Sequence, residues 1–151
     1  MRPTLTDLRL HSTSRPDHCD GGFDQFCDPK RRYSNISLIL IDSGRGDLVD
    51  YMSIYWKDFR GDDADLWQHE WNKHGTCIST LEAKCYSEFY YPQQEVVDYF
   101  DKTVEMFQKL PSFDVCANGK KKLTTCCEIN LSMKVPSRCR NRAVVYKYVF
   151  S

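Results

Sequence analysis

The sequence has no long apolar run and no excess of either charge. No stretch approaches the roughly 18 consecutive apolar residues of a membrane-spanning helix, and we expect no membrane association. The first seven residues lack the apolar core of a secretory signal peptide. The 21 basic and 21 acidic side chains cancel, which excludes a uniformly basic nucleic-acid binder.

Cysteine, by contrast, is abundant. Eight cysteines in 151 residues are typical of a disulfide-bonded protein from an oxidising compartment. The tripeptides that begin at Asn35 and Asn130 also fit the N-glycosylation pattern. Because these features disagree with the missing signal peptide, we expect the natural N-terminus to lie upstream of Met1.

Apolar periodicity predicts four helices, followed by one strand near the C-terminus. The predicted helices begin, in chain order, at Ser34 or Asn35, at Asp47, after the turn at Gly61-Asp62-Asp63, and at Pro92. The last helix carries an apolar stripe typical of a core face and ends at Pro111. Residues from Ala143 to Phe150, rich in Val, Tyr and Phe, predict the strand.

One segment concentrates groups that can perform acid–base chemistry. Its members are Trp67, His69, Glu70, Trp71, Lys73, His74 and Cys77. Zinc proteases use His-Glu-x-x-His, which places two imidazoles at i and i+4. His69 and His74 are five residues apart, about 140° around a regular helix, so we expect no metal and no cofactor here.

The spacing instead favours acid–base catalysis. Glu70 and His74 are four residues apart and share a helix face, and His69 and Lys73 form a second such pair beside them. A carboxylate, imidazoles and an ammonium suit a reaction at a group that becomes more anionic, such as a phosphodiester. A surface helix with ordinary ion pairs is the alternative that spacing alone leaves open.

The pattern His-Glu-x-x-Lys-His-Gly-Thr-Cys over residues 69–77 resembles the second active-site segment of the ribonuclease T2 family, the secreted acid ribonucleases. Residues 17–22, 33–36 and 55–58 resemble its fungal branch. The likeness fades after residue 113, so we predict a partial ribonuclease T2-like domain over residues 1–113. Residues 114–151, with 8 basic and 1 acidic side chains from residue 118 onward, form a divergent basic tail.

The resemblance implies an α+β fold, an antiparallel sheet flanked by helices, which is incomplete in this chain. It also implies an endoribonuclease that cleaves single-stranded RNA without a metal, through a 2′,3′-cyclic phosphate. By motif position, His74 is the base, Glu70 and Lys73 stabilise the phosphorane, and His69 holds the phosphate. A disulfide between Cys27 and Cys77 is implied as well.

The family's first active-site segment, His-Gly-Leu-Trp-Pro-Asp, is altered here. His11 stands six residues before Asp17 rather than five, so His11 is catalytic only if a one-residue bulge carries it to the site; otherwise it is a loop residue. Asp17 and Phe23 occupy base-binding positions. Trp67 either lines a neighbouring base site or belongs to the core.

Two further functions stay open from the sequence. One is a catalytically impaired relative that binds RNA through the basic tail without turnover, because Lys and Arg gain affinity by releasing phosphate counterions. The other is a small disulfide-rich interaction protein. In the leading interpretation the partner is RNA, the protein is a monomer, and family resemblance places it outside the cell or in the vacuole or lysosome.

Overall fold

The computed structural model describes residues 15–17, 22–86, 88, 90–109, 128–129 and 145–147. Four helices dominate this part of the chain, and they confirm the four predicted from periodicity. They are α1 (Ile36–Asp42), α2 (Gly46–Tyr55), α3 (Asp63–Lys73) and α4 (Gln94–Lys109). Short 3-10 turns lie at Pro29–Arg31, Gly75–Cys77, Ser79–Leu81 and Ala83–Cys85.

The helix ends show which sequence signals act as expected. The side chain of Asp62 accepts a hydrogen bond from the amide of Asp65 and so caps α3. Asn35 precedes α1 but adopts a left-handed backbone (φ 56°), and its side chain makes no capping hydrogen bond. Asparagine tolerates this conformation better than most residues, so its contribution here is to the backbone turn.

The core lies where the apolar faces of the four helices meet. The indole of Trp56 packs against Phe100 with ring centroids 5.6 Å apart, and that of Trp71 packs edge-on against Tyr99 at 5.5 Å. Val96, Phe100 and their neighbours on α4 are buried, which confirms the predicted core stripe. These contacts hold the C-terminal end of α3 in a fixed position.

Within the described ranges, three short strands pair in the order β1–β3–β2, both pairs antiparallel. They are β1 (Arg15–Asp17), β2 (Glu128–Ile129) and β3 (Val145–Lys147). β3 falls within the strand predicted from Ala143 to Phe150, and β1 lies beside the 3-10 turn that follows α3. The larger flanked sheet implied by the resemblance stays a prediction.

None of the helices in the described ranges has the length and apolar character needed to cross a membrane.

Candidate active site

The C-terminal end of α3 brings three titratable side chains together. Nitrogen atoms of His69 and His74 and a carboxylate oxygen of Glu70 all lie within 4.8 Å of one another. The two imidazole rings stand edge to face with centroids 6.4 Å apart. Five-residue spacing therefore does not keep His69 and His74 apart, and the prediction that it does is wrong. α3 ends at Lys73, and His74 is its C-cap, with φ −111°, ψ −47° and an amide that still donates to the carbonyl of Glu70.

Gly75 lets the chain leave α3 in this direction. A β-carbon at Gly75 would lie within 3.0 Å of three ring carbons of Trp71. That indole cannot move aside, since it is fully buried and its Nε1 donates to the carbonyl of Arg31 at 2.7 Å. The close approach of backbone to indole therefore requires glycine directly after His74.

We expect Gly75→Ala to lower the free energy of unfolding by about 1–3 kcal/mol, the usual cost of forcing a methyl group into a packed core. Urea denaturation followed by tryptophan fluorescence measures it. The matched control is Gly46→Ala, because a β-carbon at Gly46 meets nothing within 4 Å. If Gly75→Ala lowers the free energy of unfolding no more than Gly46→Ala does, the indole of Trp71 has room to shift.

The side chain of Asn72 links α3 to the loop that precedes α1. Its side-chain Nδ2 donates to the carbonyl of Tyr33 at 3.0 Å, and its Oδ1 accepts from the amide of Tyr33 at 2.9 Å. The phenol ring of Tyr33 stacks on the indole of Trp71, and its hydroxyl donates to the buried carboxylate of Glu95 at 3.0 Å. The orientation of α3 is thus fixed by hydrogen bonds as well as by packing.

A disulfide and the side chain of Arg31 both hold the 3-10 turn that follows His74. A disulfide joins Cys27 to Cys77, as the resemblance implies. The buried guanidinium of Arg31 donates to the carbonyl of Thr76 at 2.6 Å and to that of Leu81 at 3.2 Å. Cys85 is disulfide-bonded too, with its partner outside the described residues.

Glu70 has an unusual environment for a carboxyl group. Only 3 % of the residue is exposed, and within the described part of the chain its Oε2 has no hydrogen-bond partner. Burial raises the pKa of Glu70 to about 8, although the nearby charge of Lys73 acts in the opposite direction. Glu70 therefore carries a proton in acidic and neutral solution and can donate a hydrogen bond from the site.

This proton makes stability depend on pH. An unfolded glutamate titrates near 4.5 and the folded Glu70 near 8, so between these values the folded state holds a proton that the unfolded state releases. The resulting stability is complete below pH 4.5 and is lost as the pH rises towards 8. Even half of this pKa shift is worth about 2 kcal/mol.

We expect Glu70→Gln to remove this loss of stability between pH 4.5 and pH 8. At pH 8 the variant should be more stable than the wild-type protein by about 2 kcal/mol. Urea denaturation of both proteins at pH 5 and pH 8 measures the difference, and comparing slopes cancels the titration of all other groups. Parallel pH profiles for the two proteins would contradict a raised pKa at Glu70.

His69 lies at the rim of the site, where its side chain is exposed. Partial burial, and secondarily the charge of Lys73, lower the pKa of His69, while Asp65 opposes them. A larger fraction of neutral imidazole is therefore present at mildly acidic pH than for an ordinary histidine. A neutral ring can accept or donate a hydrogen bond at this rim.

Two phenylalanines border the histidines. The ring of Phe23, predicted as a base-binding residue, lies 6.0 Å from that of His74. Phe26, which sequence reasoning missed, lies edge-on to His69 at 6.4 Å and is 41 % exposed. The guanidinium of Arg32 lies 5.0 Å above the Phe26 ring. The one available signal was an aromatic residue next to Cys27 in a turn-rich loop.

Among the remaining predicted site residues, His11, Asp17 and Trp67, the structure describes the side chain of Trp67 alone. His11 lies outside the described residues, and Asp17 is described only as backbone of β1. Trp67 is 3 % exposed, and its Nε1 donates to the carbonyl of Trp56 at 3.0 Å. This placement is that of a core residue, the second of the two alternatives predicted for Trp67.

Comparison with known proteins identifies one family. Its model, described as Ribonuclease T2 family, matches residues 4–133, and so extends past the boundary predicted at residue 113. A ribonuclease T2-like protein of Aspergillus fumigatus is 64 % identical over 140 residues, covering 85 % of this chain and 34 % of the relative. Ribonuclease T2 of Aspergillus oryzae is 54 % identical over 104 residues, which cover 69 % of this chain and 37 % of that relative.

Among solved structures, the crystal structure of Actibind, described as a T2 ribonuclease, is similar with a TM-score of 0.66 and 45 % sequence identity. The likeness covers 70 % of this chain and 46 % of that one. The chain spans only 34–37 % of the length of the two Aspergillus relatives.

Proposed function

The chain belongs to the ribonuclease T2 family, and from that premise we propose that it is an endoribonuclease that cleaves single-stranded RNA by metal-free transphosphorylation. The cluster of His69, Glu70 and His74 within 4.8 Å, beside Lys73, carries the proposal. It joins a base, a proton-bearing acid and a cation at one end of one helix, which is what attack on a phosphodiester needs.

His74 is the base of the first step. In its neutral form the imidazole takes the proton of the ribose 2′-hydroxyl, and the resulting oxygen attacks the neighbouring phosphorus. The near-complete burial of His74 keeps bulk water from competing for this role. DNA lacks the 2′-hydroxyl and cannot react in this way.

Glu70 and Lys73 stabilise the charge that develops on the phosphorane. Protonated Glu70 donates a hydrogen bond to a non-bridging oxygen without adding negative charge, and the Lys73 ammonium offsets the charge that accumulates. His69, exposed at the rim, holds the phosphate as it enters. Phe23 stacks on the base next to the attacked ribose, because its ring lies beside that of His74.

The leaving 5′-oxygen takes a proton from a second acid as its bond to phosphorus breaks. His11 is the residue we propose for this role, by its place in the first motif. The products are a 2′,3′-cyclic phosphate and a free 5′-hydroxyl. The Cys27–Cys77 disulfide supports a secreted or vacuolar enzyme, and we expect it to act as a monomer.

The test is cleavage of an RNA dinucleotide by oxidatively refolded protein at mildly acidic pH, with EDTA present and a 2′-deoxy dinucleotide as control. A cyclic phosphate formed from RNA alone is the expected result. Folded protein that binds RNA in a salt-dependent manner without product would replace this proposal by RNA binding without turnover. Folded protein that does neither would leave an interaction protein.

A further inference from the structure

We propose that Phe26 and Arg32 form a further subsite for single-stranded RNA, which binds a nucleotide beyond the scissile dinucleotide. The guanidinium of Arg32 contacts the phosphate of that nucleotide, and its base packs on the exposed part of the Phe26 ring. The proposal rests on the proposed function for its ligand, RNA, whereas the place of the subsite follows from contacts that no step of the cleavage uses.

The first observation is that Phe26 is exposed and has an unusual backbone conformation. The residue is 41 % exposed, and its φ of 55° lies in the left-handed region that a bulky side chain seldom occupies. Packing in the core does not offset the cost of this conformation, because the ring is not buried. Strained residues of this kind cluster at functional surfaces.

The second observation is that the surrounding structure holds Phe26 next to the candidate active site. Its amide donates to the carbonyl of Lys73 at 3.0 Å, and the disulfide of Cys27 fixes the following residue. The ring lies edge-on to His69, with centroids 6.4 Å apart. The surface of Phe26 is therefore continuous with the rim where His69 holds a phosphate in the proposed function.

The third observation is the positive charge that Arg32 places on the same surface. Its guanidinium lies 5.0 Å above the Phe26 ring, and its Nη2 donates to the carbonyl of Phe26 at 2.9 Å. Within the described part of the chain, its other N–H donors have no hydrogen-bond partner. The neighbouring Arg31 differs, since it is buried and paired with Asp28 at 2.9 Å. Arg32 therefore offers a preoriented guanidinium to an anion from solvent.

An arginine beside an exposed aromatic ring matches the chemistry of a single-stranded nucleotide. A guanidinium binds phosphate through paired N–H donors, and an aromatic ring accepts any base because every base has a π-face. A strand whose phosphate lies at His69 meets Phe26 and Arg32 with its next nucleotide. The subsite therefore adds affinity for oligonucleotides longer than a dinucleotide without selecting a base.

Binding of oligonucleotides that cannot be cleaved tests the subsite. The probes are a single-stranded 2′-deoxy hexanucleotide and a 2′-deoxy dinucleotide, since phosphate and base contacts do not need the 2′-hydroxyl, and calorimetry at several salt concentrations gives each Kd. Arg32→Ala is expected to raise the Kd of the hexanucleotide about three- to tenfold and to leave that of the dinucleotide unchanged. The dependence of log Kd on log salt concentration should fall by about 0.7, the share of one phosphate. Phe26→Leu is expected to weaken hexanucleotide binding about fivefold with an unchanged salt dependence.

The matched control is Lys109→Ala, which removes one positive charge from the last turn of α4 and should change neither Kd. Arg32 and Phe26 are exposed, so both variants are expected to fold, which circular dichroism checks. Equal losses for the two oligonucleotides in Arg32→Ala, or no loss for either, would overturn the subsite. A protein that binds the hexanucleotide through Arg32 and cleaves no RNA would refute the proposed function and leave the subsite standing. Conversely, RNA cleavage by a protein whose affinities do not respond to Arg32→Ala would refute the subsite and spare the function.

Discussion

Replacement of His74 by glutamine is expected to lower kcat/KM for cleavage of an RNA dinucleotide by about 10²–10⁴-fold, the usual contribution of a general base. Glutamine keeps a polar group in this nearly closed site, where alanine would leave a cavity. It has no lone pair basic enough to take the proton of the 2′-hydroxyl. We therefore expect the loss in kcat and only a small change in KM.

The matched control is His69→Gln at the rim of the same cluster. Because His69 is proposed to hold phosphate rather than move the first proton, its replacement should raise KM more than it lowers kcat. Urea denaturation of both variants separates lost chemistry from lost folding. A folded His74→Gln protein that keeps a third or more of wild-type kcat would remove His74 from the role of base.

Loss of the Cys27–Cys77 disulfide is expected to lower the free energy of unfolding by about 4 kcal/mol. The two cysteines are 50 residues apart in sequence, and a cross-link over a loop of this length removes about that much chain entropy from the unfolded state. The loop contains α1, α2 and all of α3. Since small domains are stable by only about 5–15 kcal/mol, most of the margin would disappear.

The variant to use is Cys27→Ala with Cys77→Ala, because a reducing agent would also break the disulfide of Cys85. Denaturant unfolding of the double variant in oxidising buffer measures the loss. Cys27 is exposed and Cys77 only half-buried, so little packing is removed with the sulfur atoms. A loss below about 1 kcal/mol would mean that the unfolded chain is already constrained in this region.

The local parts of the fold could be predicted from the sequence, and the tertiary parts could not. Periodicity located α4 because its buried stripe repeats every three or four residues, and Asp62 was a recognisable cap for α3. The disulfide followed from a resemblance rather than from physics. The proximity of His69 and His74 escaped prediction, because the angle between two positions on a helix does not fix the distance between the tips of two imidazole side chains.

The end of α3 depends on a contact between residues that are far apart in the sequence. The backbone at Gly75 crosses the face of an indole held in place by Arg31, more than 40 residues earlier in the chain. The burial of Trp67 and the exposure of Phe26 are likewise decided by packing between distant segments. Residue type alone shows that Trp67 and Phe26 are aromatic, but it does not show which of the two is exposed to solvent.

The side-chain amide of Asn72 makes two hydrogen bonds to the backbone of Tyr33, the same pair that a residue of a neighbouring antiparallel strand would make. Their consequence is cooperativity. Fluctuations that would loosen the end of α3 must also break the Tyr33 backbone pairing, and through the Tyr33 hydroxyl they reach the buried Glu95 of α4. We therefore expect the cluster of His69, Glu70 and His74 to open only together with the core.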